Sequence, residues 1–201
     1  GCYTNFSSNG NVKTQLRFDR NVKSGVYMPA ISLILNPITR EFYVTVTSYK
    51  KDVKFNILTF LNLLGFNDNE IRTAMGTSDL VEPIMEVNSK KKTIQNINTL
   101  YKLFFPRESD GNNLSDVQKR AKLFKFFNEN ARFGDGSVIS STLGISKNNS
   151  FLNKEVISKA VKKTVSVASR LVPEDSKDEV KFKEVLNDND LIFNAVANSF
   201  D

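Results

Sequence analysis

The run from Glu41 to Gly76, EFYVTVTSYKKDVKFNILTFLNLLGFNDNEIRTAMG, changes hydrophobic period half-way along, and no other feature constrains the fold as tightly. Phe42, Val44 and Val46 alternate with Tyr43, Thr45 and Thr47, all β-branched or aromatic, which predicts a strand. A basic turn follows with Lys50, Lys51 and Lys54. Ile57, Leu58, Leu61 and Leu64 then recur at three- and four-residue steps, which predicts a helix. Gly65 stands where a helix ends on glycine. Asp68 or Asn67 can cap a second short helix through Ile71 and Met75.

The rest of the chain divides in the same order. Alternation predicts strands over Val12–Phe18, Val26–Leu35 and Phe42–Val46, with Asn36-Pro37 turning the chain between the last two. Helical periodicity predicts helices near 55–65, 68–75, 93–104, 115–128, 154–171 and 187–198. Asp110 to Asn113 and Gly134 to Gly136 read as loops, and Pro173 as the stop of the long helix. Strands first and helices afterwards give an α+β class. The expectation is one domain over 1–201, with antiparallel strands in 1–50 and a mainly helical part in 51–201.

Composition narrows the function. Of 201 residues 40% are apolar, enough to bury a core. No run of 18 apolar residues spans a membrane, and the N-terminus lacks both regions of a signal peptide and an initiator Met. A single cysteine, Cys2, read as part of a frayed end, excludes an internal disulfide and any multi-cysteine zinc site, and fits a reducing compartment. The chain has no histidine for a general base and no Gly-rich phosphate loop or Gly-x-Ser-x-Gly. The acidic pairs at Asp68/Glu70 and Asp188/Asp190 read as helix caps, and Asp175, Asp178 and Glu179 as a loop. A self-contained active site is therefore not expected. The net charge of +6 has the right sign for phosphate and is spread over several lysine runs.

In three runs the sequence resembles the lobe domain of the β subunit of multisubunit DNA-directed RNA polymerases. In that family a charged turn precedes a helix of the type Ile-Leu-x-Ala-Leu-Gly-Tyr and then an acidic residue and Ile; Lys54, Phe55, Ile57, Leu61, Leu64, Gly65, Phe66, Glu70 and Ile71 fall on it. A hydrophobic helix broken by Arg-Pro-Gly-Glu, a helix of the form Ala-x-x-Leu-Phe-x-x-x-Phe and then Arg-Tyr-Asp-Leu and Val are matched in order by Pro106, Glu108, Ala121, Leu123, Phe124, Phe127, Arg132, Phe133 and Val138. The family's Leu-Thr-x-Glu-Asp-Ile-Ile is similar to Leu152, Asn153, Glu155, Val156 and Ile157. The matches cover roughly residues 25–185.

The departures are as informative. The family's Gly-Arg-x-Lys-Leu-Asn is here Ile139 to Leu143, without its cations, and its Asp-Asp-Ile-Asp-His-Leu-Gly-Asn-Arg-Arg is reduced to Asp178, Glu179 and Val180. Such divergence, with a preference for lysine over arginine and many asparagines, is compatible with a large bacteriophage. The resemblance implies a non-catalytic piece of a longer subunit, working in the bacterial cytoplasm with a β′-type partner and remaining β segments. It would form one wall of the DNA cleft and contact downstream duplex or non-template strand, through Lys50, Lys51, Lys54 and Arg132. No cofactor belongs to this segment, since the catalytic magnesium sits in another subunit. An inserted lobe also implies that residues near Thr14–Phe18 lie within about one domain radius, roughly 17 Å, of Phe182–Leu186. An α-helical viral adaptor without a nucleic-acid role stays open beside this, as do plain solvated readings of the basic turn, of Lys90 to Lys92 before a helix at Thr93, and of two helix faces. On helix 115–128, Val117, Ala121, Phe124 and Phe127 read as one side, with Lys119, Lys122, Lys125 and Phe126 on the other. On helix 154–171, Lys159, Lys162, Lys163 and Ser166 read as the polar side.

Overall fold

The computed structural model of the chain describes residues 2–18, 28–48, 51–91, 95–108, 113–133, 142–145 and 151–176. Five strands form one antiparallel sheet in chain order: β1 (Cys2–Phe6), β2 (Val12–Leu16), β3 (Ala30–Leu35), β4 (Phe42–Thr47) and β5 (Asp52–Asn56). Six helices are described in full after it: α1 (Ile57–Leu63), α2 (Asp68–Met75), α3 (Val81–Ser89), α4 (Ile97–Phe104), α5 (Asp116–Asn130) and α6 (Lys154–Ala168). The α+β class expected from the alternation is the observed one.

Register aligns the apolar residues of every strand on one face. Thr4 pairs Thr14, Thr14 pairs Leu33, Leu33 pairs Val44 and Val44 pairs Phe55, and all five side chains are buried. A one-residue slip would turn that whole set outward, so the burial specifies the register. α6 lies across β1, β2 and β3, and α1 lies on β4 and β5. α6 is a helix against local preference: Val156, Ile157, Val161, Thr164, Val165 and Val167 are β-branched, each costing roughly 0.5 kcal/mol relative to alanine. All six are buried, and each apolar one gains about 1.5–3 kcal/mol from burial. Packing wins.

Two polar devices lock this layer. Thr4, Thr14 and Thr164 join hydroxyl to hydroxyl at 2.7 Å each, and Thr164 donates on to the Ala160 carbonyl at 2.7 Å. Buried Asn88 accepts from the Phe42 amide at 3.1 Å and donates to the carbonyls of Arg40 and Ile84 at 2.9 and 2.7 Å. α3 is thereby tied to the β3–β4 turn, which Asn36 itself shapes by accepting from the amides of Ile38 and Thr39.

The sheet is larger than the alternation predicts. Cys2, expected in a frayed end, lies in β1 and is fully buried. The Lys50–Lys54 turn is shorter than expected: Ser48 and Lys51 close it, and Lys54 lies within β5, so the strands run on to Asn56 where a helix was expected from Phe55. α3 is absent from the periodicity reading, and its presence reverses the electrostatics of the lysine run. Lys90 is the C-cap of α3 and pairs with Glu86, Lys91 pairs with Glu41, and α4 begins only at Ile97. Cations therefore complement a helix C-terminus instead of opposing an N-terminus. α5 is rotated from the expected orientation: Lys119, Leu123 and Phe127 face inward while Val117 is 70% exposed. α6 ends at Ala168, before Pro173, with Arg170 at φ 58° closing it. The expected helix at 187–198 lies outside the described residues, as do Lys50, Lys92, Val26 and Phe182–Leu186.

After α6 the chain returns to the sheet. The Thr4 amide donates to Asp175 at 2.8 Å, the Phe6 amide to Glu174 at 2.7 Å, and the Asp175 amide to the Thr4 carbonyl at 2.7 Å. Lys163, expected on a solvated face, grips both Asp175 oxygens at 2.6 and 2.7 Å and is little exposed.

Candidate nucleic-acid interface

Opposite the helix layer, the sheet presents a second face whose rows follow from the register. One row runs Asn5, Lys13, Ile34, Tyr43 from β1 to β4, and the next runs Tyr3, Gln15, Ser32, Thr45, Lys54 from β1 to β5. Strand alternation puts these side chains there, since each is out of phase with the residues of its strand that face the helices. Lys13 and Lys54 belong to these rows and Arg17 follows β2; Asp52 is the carboxylate among the outward strand positions, and Glu41, just before β4, pairs with Lys91 and also feels the Lys54 charge. The face is therefore cationic, with two tyrosines set in it.

Both rings carry a cation. The Lys54 ammonium lies 3.7 Å from the Tyr43 ring centre, and the Arg17 guanidinium 5.8 Å from that of Tyr3. Such contacts are worth about 0.5–1 kcal/mol at exposed sites. Tyr3 also donates its hydroxyl to Gln15, which accepts from Arg17 at 3.2 Å as well. Lys54 is exposed, and Lys13, Ile34 and Tyr43 are half-buried.

The four cations named from the resemblance are distributed unevenly. Lys51 is exposed at the β4–β5 turn and Lys54 stands two residues into the following strand. Arg132 is exposed and bridges Phe151, while its neighbour Phe133 packs on Phe18 with ring centres 4.8 Å apart. Phe18 follows β2 at the end of the sheet where β4 turns into β5, so Arg132 and Lys51 lie at the same end, with β3 and β4 between. Lys50 is outside the described residues. Phe126, expected on the lysine side of helix 115–128, packs on Phe104 and Phe105 at 6.0 and 5.1 Å.

Lys13, Tyr43 and Tyr3 are not among the residues that the resemblance points to. The signal that could have found them is parity. Lys13 and Tyr43 sit out of phase with Val12, Thr14, Phe42 and Val44, so the alternation that buries those four turns these two outward together.

Other clusters have structural work. Glu108 accepts from the Tyr101 hydroxyl at 2.5 Å and from Lys122 at 2.6 Å. The Lys122 hydrogen bond first, then that of Tyr101, holds the Glu108 carboxyl below its ordinary range. Glu70 is likewise lowered, first by the Asn67 amide it caps. Among the described residues no group of three His, Cys, Asp or Glu is placed to hold a metal ion, and no helix is long and apolar enough to cross a membrane. No protein-family model matches the chain, and no curated protein matches it.

Proposed function

We propose that this chain is the non-catalytic lobe of a β-type subunit of a divergent, bacteriophage-like DNA-directed RNA polymerase. In that role it forms one wall of the DNA cleft and holds DNA by backbone contacts, while the catalytic magnesium and its ligands belong to the β′-type partner. The observation that carries this reading is the convergence of the three resembling runs on one spot. The α1 terminus contributes the carbonyls of Leu63 and Gly65; Arg120 of α5 donates to the first at 2.9 Å and Lys154 of α6 to the second at 2.7 Å. Residues far apart in sequence, each on the family's pattern or beside it, thus complete one another's hydrogen bonds.

The return of the chain supports the same reading. After α6 the chain runs back beside β1 at Glu174 and Asp175, a course that an inserted lobe also takes, while the expected approach of Phe182–Leu186 to Thr14–Phe18 falls outside the described residues. Lys51 and Lys54 then supply cations that set a backbone in place without reading sequence.

Mass spectrometry of the natural polypeptide tests this. A parent chain much longer than 201 residues, copurifying with a β′-like subunit, is expected. A free-standing chain without such a partner refutes the lobe and leaves the adaptor. In the assembled enzyme, reversing Lys50, Lys51 and Lys54 to Glu is expected to weaken DNA retention alike at every sequence. The slope of log affinity against log salt should fall by about 0.9 for each phosphate left without its cation. An unchanged slope removes this turn from the DNA path.

A further inference from the structure

We infer that the outward face of the sheet is a stacking platform for unpaired nucleotides, centred on Tyr43 and Ile34, with Lys13 and Lys54 at the flanking phosphates. This extends the DNA-contact reading above from backbone to base, and rests on that reading only for the source of the strand.

Tyr43 and Ile34 are cross-strand neighbours on β4 and β3, so they form a continuous apolar strip on an otherwise polar surface. Lys13 continues their row on β2, while Lys54 lies on β5 in the adjacent row. With strands about 4.8 Å apart, the two ammonium groups rise from backbones three spacings apart, roughly 14 Å, on either side of the strip. An elongated polyanion crossing the strands meets a cation, an aromatic and aliphatic strip, and a second cation in turn.

The charge selects a polyanion, and the ring selects an unpaired one. In a duplex each base is already covered on both faces by its neighbours, so a flat ring on a flat sheet has nothing to stack upon. An unpaired base offers its open π-face to any aromatic, irrespective of sequence. The Lys54 ammonium now over Tyr43 marks that side of the ring as reachable from solvent. A stacked base is worth more than the cation it displaces, and the freed ammonium gains a phosphate.

Fluorescence anisotropy of a labelled dodecathymidylate at low salt, titrated with the 201-residue chain, tests the platform. Binding is expected to be tighter than to a duplex of equal length and tighter than to an abasic strand of equal length. Tyr43→Ala should weaken it about 5- to 100-fold, and Tyr43→Phe should restore it. Lys13→Gln and Lys54→Gln should each reduce the salt slope by about 0.7. Equal binding of abasic and thymidylate strands overturns the platform without any variant. Preference for duplex, displacement by polyglutamate as readily as by thymidylate, or an unaltered affinity in Tyr43→Ala would each do the same. The lobe reading stands or falls separately, on the parent polypeptide and its β′-like partner.

Discussion

At the scale of single residues, Cys2 shows how far burial can carry a group from its behaviour in water. It is 0% exposed, and desolvation pushes its thiol pKa up to about 12, against the opposing pull of Lys163. An unfolded chain ionises the same thiol near 8.5. Folding therefore holds a proton that the unfolded state releases. The resulting stabilisation is whole below the unfolded value and is lost as pH rises toward the folded one. Between about pH 9 and 11, wild-type stability should fall faster than that of Cys2→Ala, by a difference approaching 1.4 kcal/mol per pH unit. Urea denaturation at several pH values measures it, and parallel curves would mean that the thiol meets water in the folded chain. Iodoacetamide should likewise label Cys2 only after unfolding.

Among the elements, α1 is the one whose end is most fully determined. Gly65 takes φ 80°, its amide reaches the Asn62 carbonyl at 2.9 Å, and the Phe66 amide reaches Leu61 at 3.0 Å. This is the paired closure of a helix by a left-handed residue. A Cβ on Gly65 would lie 2.8 Å from Cδ of Arg120, the side chain that holds the Leu63 carbonyl. Gly10, at φ 79°, has nothing within 4 Å of such a Cβ. Gly65→Ala should therefore cost about 1–3 kcal/mol, backbone strain plus a disturbed hydrogen bond, against about 1 kcal/mol for Gly10→Ala. Equal losses in chemical denaturation would show that Arg120 yields without penalty. The end of this helix was legible in the sequence because glycine and apolar period agree there, while its start, at Asn56 and not Phe55, was not. Of the two caps the sequence offers for α2, Asp68 or Asn67, the structure uses Asn67, which closes a capping box with Glu70. What escaped was decided by distant partners. α3 carries Pro83 and depends on Asn88 reaching across to Arg40 and Phe42. The inward turn of Lys119 on α5 follows from what packs on that helix, which its own period does not record. Of the outward sheet face, Lys54 was named in the sequence, but Lys13 and Tyr43 needed the register to bring them into one row.

Across the whole molecule, the sheet has two edges, and β1 is protected by side chains as well as backbone. Carboxylates of Glu174 and Asp175 occupy the amides of Phe6 and Thr4 that an added strand would otherwise take. Asp175 is itself fixed by Lys163, with 13% and 10% of the Lys163 and Asp175 side chains exposed. Removing one member of a buried pair leaves the other uncompensated and costs roughly 3–5 kcal/mol, less here for the residual exposure. Asp175→Ala is thus expected to destabilise the fold and to raise hydrogen exchange first at Thr4, while amides of β3 and β4 keep their protection. Uniform acceleration over all five strands would mean that the edge does not open separately.

The same closure has a mechanical meaning. Residues 174–175 run antiparallel to β1, from Phe6 toward Thr4. A load drawing the two segments apart at that end is met by these hydrogen bonds one after another, as in a zipper, and not by a ladder sheared all at once. Such a seam yields at modest force while the sheet and its helices remain intact behind it. If a longer polypeptide carries this fold as an insert, its motions would be absorbed at the seam before they reached the platform on the other side.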